Sequence, residues 1–201
     1  MNPIKFFGAD KSKKWWRFSN FAELPIIIDG IKYPTSEHYF QAAKFASTDP
    51  EYAEKIRLTK TAKGTKTLGK SRDHPIDPKW DSPVEGELLF KDLVMKKAIR
   101  AKAEQHPEFL QDLLSTGTDS IVEASPWDNY WGSGRSGNGK NMLGKLLVEL
   151  RDLFSPTIKT KSPNLKTNEV LENRKCNATT KKGEQCKKAA TVEGFCYIHC
   201  K

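Results

Sequence analysis

The first segment that could do chemistry spans residues 34–45, PTSEHYFQAAKF. Glu37, Gln41 and Lys44 share one polar face of a predicted helix, because the apolar residues of this segment must be buried on the other face. Glu37 takes the second helical position, where the partial positive charge of the helix end stabilises an anion. A surface carboxylate that stabilises the helix and a functional acid are both compatible with this position. His38 is expected to pack or to cap the helix.

The second segment is the loop at residues 125–139, SPWDNYWGSGRSGNG, which combines three large aromatic residues with four glycines. Aromatic faces stack on bases or sugars, and glycines let backbone N–H groups approach an anion at a helix N-terminus. A rigid turn pinned by tryptophans in the core is the structural alternative. Residues 134–141 resemble a phosphate loop, but Asn141 lacks the hydroxyl that would bind Mg²⁺, which disfavours a P-loop nucleotidase.

A third candidate is the aromatic run at residues 15–21, WWRFSNF. It could anchor the N-terminus, or it could line a pocket for a flat, charged ligand with Arg17 contacting phosphate. Arg72, just before a turn at residues 73–75, is a further candidate phosphate contact, although an exposed loop arginine is the commoner case. The residues leave these alternatives open.

The C-terminal end has a different chemistry, because all four cysteines lie in the last 26 residues. Cys176, Cys186, Cys196 and either His199 or Cys200 supply four ligands suited to tetrahedral Zn²⁺, and a module this small has little core without metal. The tail also resembles small CCCH modules with a Thr-Lys-Lys-Gly turn. Two disulfides or a disordered basic tail are the alternatives. A zinc module rich in lysine would bind the phosphate backbone of nucleic acid.

Length and charge indicate one domain with an appendage. The chain has 201 residues and a net charge of +9, and no run approaches the roughly 18 apolar residues that a membrane span needs. The N-terminus shows no secretory signal, so we expect a cytoplasmic protein with no membrane association. Basic residues exceed acidic ones by three up to Phe154 and by six beyond it. We predict a domain over residues 1–154, a flexible linker over 155–173 and a putative zinc module over 174–201.

The pattern of the body predicts mainly helices. An Asp-Gly turn at residues 29–30 between two apolar runs predicts a hairpin. Thr35 and Asp49 are predicted to start helices, the second with proline at its first position. Further helices are predicted over residues 84–103, 109–114 and 141–154, and residues 120–124 could form a strand. The fold class is therefore predicted to be helix-rich α+β.

In chain order, these motifs resemble the NADAR (YbiA-like) family. The resemblance rests on FSNF at residues 18–21, the Asp-Gly turn, PTSEHYFQ at 34–41, Lys44-Phe45, Val94-Met95, DNYWGSG at 128–134, Asn141 and Leu143-Gly144. It covers about residues 4–154, and the ordered set is specific. The sequence departs from the family at residues 101–103, which lack the phenylalanine that often follows the lysine, and at residues 69–72.

The resemblance implies an α+β N-glycosidase, a hydrolase of N-glycosyl bonds. Some members of the family cleave early riboflavin-pathway intermediates, and others remove ADP-ribose from guanine in nucleosides or nucleic acid. By position, Glu37 is similar to the catalytic carboxylate, with Asp128 and Trp131 as its partners across the pocket. The candidate substrate contacts are Arg17, Phe18, Ser19, Asn20, Gln41, Lys44, Arg72, Gly132, Gly134 and Asn141.

Hydrolysis of a C1′–N bond needs a proton for the departing nitrogen and an activated water for the ribose, but no redox cofactor. Glu37 and Asp128 can share these two roles, and the sequence does not assign them. ADP-ribosylated guanine is the leading expected substrate. A glycosidase of riboflavin precursors and a non-catalytic module that binds ADP-ribose or nucleic acid are the alternatives.

Overall fold

The computed structural model describes residues 3–86 and 88–155. Its strands are β1 (Ile4–Phe6), β2 (Ile26–Ile28), β3 (Ile31–Tyr33), β4 (Pro83–Glu85), β5 (Leu88–Leu89) and β6 (Ile121–Glu123). Its α-helices are α1 (Ser36–Ala43), α2 (Pro50–Arg57), α3 (Ala62–Leu68), α4 (Phe90–Gln105), α5 (Pro107–Ser115) and α6 (Met142–Phe154), and a short 3₁₀ helix spans Trp16–Phe18. The predicted helix-rich α+β class is confirmed for these residues.

The strands pair two by two within the described residues. β1 and β6 are parallel, with Ile4 opposite Ile121, whereas β2 with β3 and β4 with β5 form antiparallel hairpins. The turn between β2 and β3 has positive φ angles of 54° at Asp29 and 80° at Gly30, as a tight hairpin turn requires. The predicted hairpin and the strand near residue 121 are therefore present.

Helix α4 is the centre of the packing. It contacts α1, α5, α6 and β2, and its buried face includes Met95, Ala98 and Ile99. Helix α6 packs on α4 and on β6 through Leu143 and Leu147, both at most 1% exposed. A smaller cluster around Phe45 joins α1 to α2. This packing fixes α1 and the end of β6 against the same core.

Three elements differ from the prediction. The helix expected over residues 84–103 begins only at Phe90, because Pro83–Glu85 and Leu88–Leu89 pair as strands and Asp92 Oδ2 accepts a hydrogen bond from Leu89 N at 2.8 Å. β1 was not predicted, since a three-residue strand gives a short pattern and its partner lies far along the chain. α3 was not predicted either, because its seven residues, AKGTKTL, carry no apolar periodicity.

Two further predictions concern membrane spans and the C-terminal tail. Among the described residues, no helix is long and apolar enough to cross a membrane. The predicted linker at 155–173 and the zinc ligands Cys176, Cys186, Cys196, His199 and Cys200 lie outside the described residues, apart from Ser155. The domain boundaries therefore remain predictions.

Candidate active site

A cleft of about 340 Å³ opens between α1, α4, the end of β6 and the loop that follows it. Charged side chains of both signs line it: Glu37, Asp81, Glu123 and Asp128 on one hand, and Lys44, Lys66, Lys70 and Lys91 on the other. Its volume lies in the range of small-molecule sites. The cleft therefore presents both carboxyl and ammonium groups to a ligand.

Glu37 sits on the floor of the cleft, where its side chain is almost inaccessible, with 6% exposure of the residue. The start of α1 holds it in place, because Thr35 caps the helix through His38 N and Glu37 N donates to Asn20 O at 3.1 Å. Burial raises the pKa of Glu37, while the Gln41 amide and the nearby lysine charges oppose that rise. The raised pKa makes the protonated form of Glu37 more accessible than that of a glutamate in water.

Gln41 orients Glu37 from one turn further along α1. Gln41 Nε2 donates to Glu37 Oε1 at 2.8 Å, and Gln41 itself is 6% exposed. The close approach of Gly69 confines this amide, since a Cβ at Gly69 would overlap the Gln41 side chain. Lys44 Nζ donates to Gly69 O at 2.7 Å and ties the same backbone to α1. The side chain of Glu37 is therefore held at the cleft by a closely packed Gln41.

Asp128 is held by its own loop. Its Oδ1 accepts hydrogen bonds from Tyr130 N at 3.0 Å and from Trp131 N at 2.8 Å. The Tyr130 hydroxyl donates to the carboxylate of Asp92 on α4, at 2.8 Å to Oδ2, which pins the loop to the core. The two backbone N–H donors and the anchored tyrosine therefore hold the Asp128 carboxyl in a fixed position at the cleft.

Aromatic rings form one wall of the cleft. Trp131 packs edge-to-face on Phe40, with ring centroids 5.2 Å apart, and Phe40 contacts Trp80 at 5.0 Å. Trp80 and Phe40 are each 5% exposed, whereas Trp131 is only partly buried. Trp131 thus has core neighbours on one side and ring surface left for a base or a sugar on the other.

A buried lysine contacts the segment of the cleft that contains Ser19 and Asn20. Lys102 of α4 is 1% exposed and donates to Ser19 O at 2.9 Å. Ser19 and Asn20 line the cleft, and Asn20 O accepts from Glu37 N, so this bond links α4 to the start of α1. Burial lowers the pKa of Lys102 to about 7.

Comparison with known proteins decides the family. The model of the NADAR domain matches residues 6–155. The chain belongs to the NADAR family. It is 47% identical over 149 residues to N-glycosidase YbiA of Escherichia coli K12, which covers 74% of this chain and 86% of that protein. It is 36% identical over 154 residues to the maize (Zea mays) riboflavin biosynthesis protein PYRR, chloroplastic, or 70% of this chain and 24% of that protein.

A solved structure of the same family agrees with the fold of this NADAR domain. The NMR structure of the E. coli protein YbiA is 40% identical in sequence and superposes with a TM-score of 0.66. The match covers 83% of this chain and 94% of that one. The resemblance read from the sequence motifs is therefore confirmed.

The NADAR cleft brings together seven of the predicted site residues. They are Glu37, Asp128 and Trp131, with Ser19, Asn20, Gln41 and Lys44 around them. The predictions from the first helix face and from the aromatic loop thus converge on one place. Their chemical roles stay predictions.

Six predicted substrate contacts are not among the residues that line the NADAR cleft, and three of them are Phe18, Arg17 and Arg72. Phe18 is fully buried in the core, where it stacks on Trp15. Arg17 turns away and donates to Asp112 of α5 at 2.9 Å. Arg72 is exposed and is not among the residues that line the cleft. The phosphate contacts expected from the two arginines are therefore not assembled here.

The backbone N–H groups of the glycine-rich loop in this NADAR domain form hydrogen bonds within the protein. The backbone N–H groups of Ser133, Gly137 and Gly139 donate to carbonyl groups of the described residues. These donors are therefore not available to bind a phosphate, although the sequence had led us to expect that they would be. A Cβ at Gly132 would crowd Glu123 O, and Gly134 has a φ of 67°. These glycines shape the loop and do not line the cleft.

Asn141 is a structural residue as well. Its Nδ2 donates to Ile121 O at 2.8 Å, and its Oδ1 accepts from Glu123 N at 2.9 Å. Its backbone is left-handed, with φ of 50°, just before α6. The side chain thus completes the hydrogen bonds at the end of β6, and Asn141 is not among the residues that line the cleft.

Several residues of the cleft were not predicted from the sequence. They are Glu123, Asp81, Trp80, Lys66, Lys70 and Lys91. A signal existed for Glu123, because it lies within the predicted strand at residues 120–124, five residues before Asp128. Residues 3–86 and 88–155 bring no three His, Cys, Asp or Glu side chains into an arrangement that could hold a metal ion.

Proposed function

We propose that the protein is an N-glycosidase that hydrolyses the bond between ADP-ribose and guanine in modified nucleosides or nucleic acid. Membership of the NADAR family and 47% identity to proteins named N-glycosidase support the reaction class. The observation that carries the proposal is the buried carboxyl of Glu37 at the floor of a cleft that Asp128 and Trp131 also line.

The reaction breaks the C1′–N bond, develops positive charge on the ribose and adds water at C1′. Glu37 acts on the reacting atoms, and Asp128 stabilises the charge on the ribose or orients the water. Trp131 stacks against the ribose or the base with its free ring surface. A module that only binds an anionic ligand would gain nothing from two carboxyl groups at this depth, which supports catalysis.

The lysines of the cleft support a substrate that carries phosphate. Lys44, Lys66, Lys70 and Lys91 surround the same space as the carboxyl groups. Lys91 Nζ is paired with Asp81 at 2.6 Å and lies 3.9 Å from the centroid of the Tyr130 ring. Ammonium groups attract phosphate as point charges, and ADP-ribose carries two such phosphates beside its reacting ribose.

A glycosidase of riboflavin-pathway intermediates is the second candidate. Its support is the 36% identity to the maize protein named for riboflavin biosynthesis. The test is to incubate the protein with ADP-ribosylated guanosine, ADP-ribosylated DNA and early riboflavin-pathway intermediates, and to detect a free base or sugar by mass spectrometry. We expect release from the ADP-ribosylated substrates. Release only from riboflavin intermediates would favour the second candidate, and binding without release would favour a non-catalytic module.

We further propose that the tail binds one structural Zn²⁺ and contacts nucleic acid. Its support is the spacing of Cys176, Cys186, Cys196 and the pair His199 and Cys200, together with six more basic than acidic residues after Phe154. A linked basic module raises the local concentration of a polynucleotide substrate near the cleft without entering the chemistry.

A chain ending at Phe154 should keep activity on a free nucleoside and lose more on a long ADP-ribosylated polynucleotide. The difference should shrink as salt rises, because phosphate contacts are screened. Metal analysis of the full chain under reducing conditions should find one zinc per molecule. Absence of zinc would contradict the metal proposal, and equal, salt-independent activity of both chains on polynucleotide would contradict the role in binding.

A further inference from the structure

The cleft also contains the carboxyl group of Glu123, which the mechanism above does not use. Glu123 is the last residue of β6 and lines the cleft with Glu37 and Asp128. Its Oε2 is buried and has no hydrogen-bond partner among the described residues. A buried polar atom without a partner costs stability, so its persistence at the reaction site calls for a functional explanation.

The backbone of Glu123 is held from both sides. Asn141 Oδ1 accepts from Glu123 N at 2.9 Å, and Ser133 N donates to Glu123 O at 2.8 Å. Asn141 Nδ2 also binds Ile121 O on the same strand. Gly132 permits this close approach, because a Cβ there would lie 2.9 Å from Glu123 O. The glycine loop and Asn141 therefore act on the cleft indirectly, by fixing the position from which the Glu123 side chain emerges.

The carboxyl groups of Glu37, Asp128 and Glu123 differ in their hydrogen-bond donors. Asp128 Oδ1 accepts two backbone N–H groups, and Glu37 Oε1 accepts the Gln41 amide. Such donors stabilise the ionised form of a carboxyl. Glu123 Oε2 has no such donor, so Glu123 is the carboxyl best suited to hold a proton.

Burial and the neighbouring carboxyl groups also favour a protonated Glu123. Burial raises the pKa of Glu123 to about 7, with further contributions from Asp128 in the loop and Glu37 on α1, while Lys66 on α3 opposes the rise. A general acid works best when its pKa lies near the working pH. At neutral pH a substantial fraction of Glu123 therefore carries the proton that a leaving base needs.

We propose that Glu123 is the general acid of the reaction and donates its proton to the departing base nitrogen. This inference rests on the proposed N-glycosidase function. As the C1′–N bond breaks, its electron pair and the Glu123 proton go to the base nitrogen. Water forms the new bond to C1′, and Glu37 accepts the proton that this water releases. Proton exchange with solvent then restores both carboxyl groups.

The first test is the pH dependence of kcat/KM on ADP-ribosylated guanosine. The acid is active when protonated, so the wild-type rate should fall as pH rises through about 7. Glu123→Gln should lower kcat/KM by about 10²- to 10⁴-fold and abolish that alkaline fall. Glu108→Gln, an exposed glutamate of α5 outside the cleft, should match the wild type in rate and in profile.

A second measurement does not depend on turnover. NMR of side-chain ¹³C-labelled glutamate should show a carboxyl signal that titrates near pH 7, and this particular signal should be absent from Glu123→Gln. Thermal melting of each variant establishes that it is folded.

The outcomes separate the two proposals. A wild type that hydrolyses neither ADP-ribosylated guanosine nor riboflavin intermediates would overturn the proposed function. An active wild type whose rate and alkaline fall survive in folded Glu123→Gln would overturn the acid assignment alone. A Glu123 carboxyl that is already fully ionised at pH 6 would overturn it as well.

Discussion

Glu37→Gln should lower kcat by about 10²- to 10⁴-fold and leave the fold intact. The substitution keeps the size and shape of the side chain and removes only its ability to take a proton. Burial disfavours the charge on Glu37, so the loss of that charge should leave the melting temperature unchanged or raise it. The Gln41 amide can turn to offer its oxygen, which has no partner among the described residues, to the new amide.

Glu51→Gln provides a matched control for this result. Glu51 is the second residue of α2, as Glu37 is of α1, but it is exposed to solvent. Both substitutions remove a carboxylate from the first turn of a helix, so both lose the same favourable interaction with the helix dipole. Only Glu37→Gln should lose activity. Equal activity of the two variants on a substrate that the wild type hydrolyses would contradict a catalytic role for Glu37.

Asp128→Asn should lower kcat by about 10²-fold at nearly unchanged melting temperature. The amide oxygen of asparagine can still accept the N–H groups of Tyr130 and Trp131, so the loop keeps its turn while the negative charge is lost. Asp128→Ala removes the acceptor as well and should also lower the melting temperature.

Turnover and thermal melting on the same preparations separate these effects. A folded Asp128→Asn with wild-type kcat would show that the charge of Asp128 has no part in the reaction. Loss of activity only where the melting temperature also falls would assign Asp128 a purely structural role in the loop.

Local signals in the sequence predicted much of the frame of this site. Asp29 and Gly30 adopt the positive φ angles that their turn requires, and Thr35 and Asp49 cap the helices that they were expected to start. The capped helix is what places Glu37 in the cleft. These features depend on residues a few positions apart, which is why a single sequence suffices to find them.

The residues that were misplaced or missed depend on contacts distant in the chain. Arg17 pairs with Asp112, 95 residues away, and Phe18 packs on Phe109, so neither is available to a ligand. Glu123 enters the cleft because β6 pairs with β1 at the other end of the domain. A glycine-rich loop before a helix likewise gave no sign that its own N–H groups would be used internally.

The central claim is that Glu37 drives hydrolysis of an N-glycosidic bond in this cleft. The most direct measurement is the release of guanosine and ADP-ribose from ADP-ribosylated guanosine, quantified by mass spectrometry, with wild-type protein and Glu37→Gln at equal folded concentration. We expect the wild type to release guanosine and ADP-ribose in equimolar amounts, and Glu37→Gln to release them at a rate at least about 10²-fold lower. Intact substrate after incubation with the wild type, or equal release by both proteins, would contradict it.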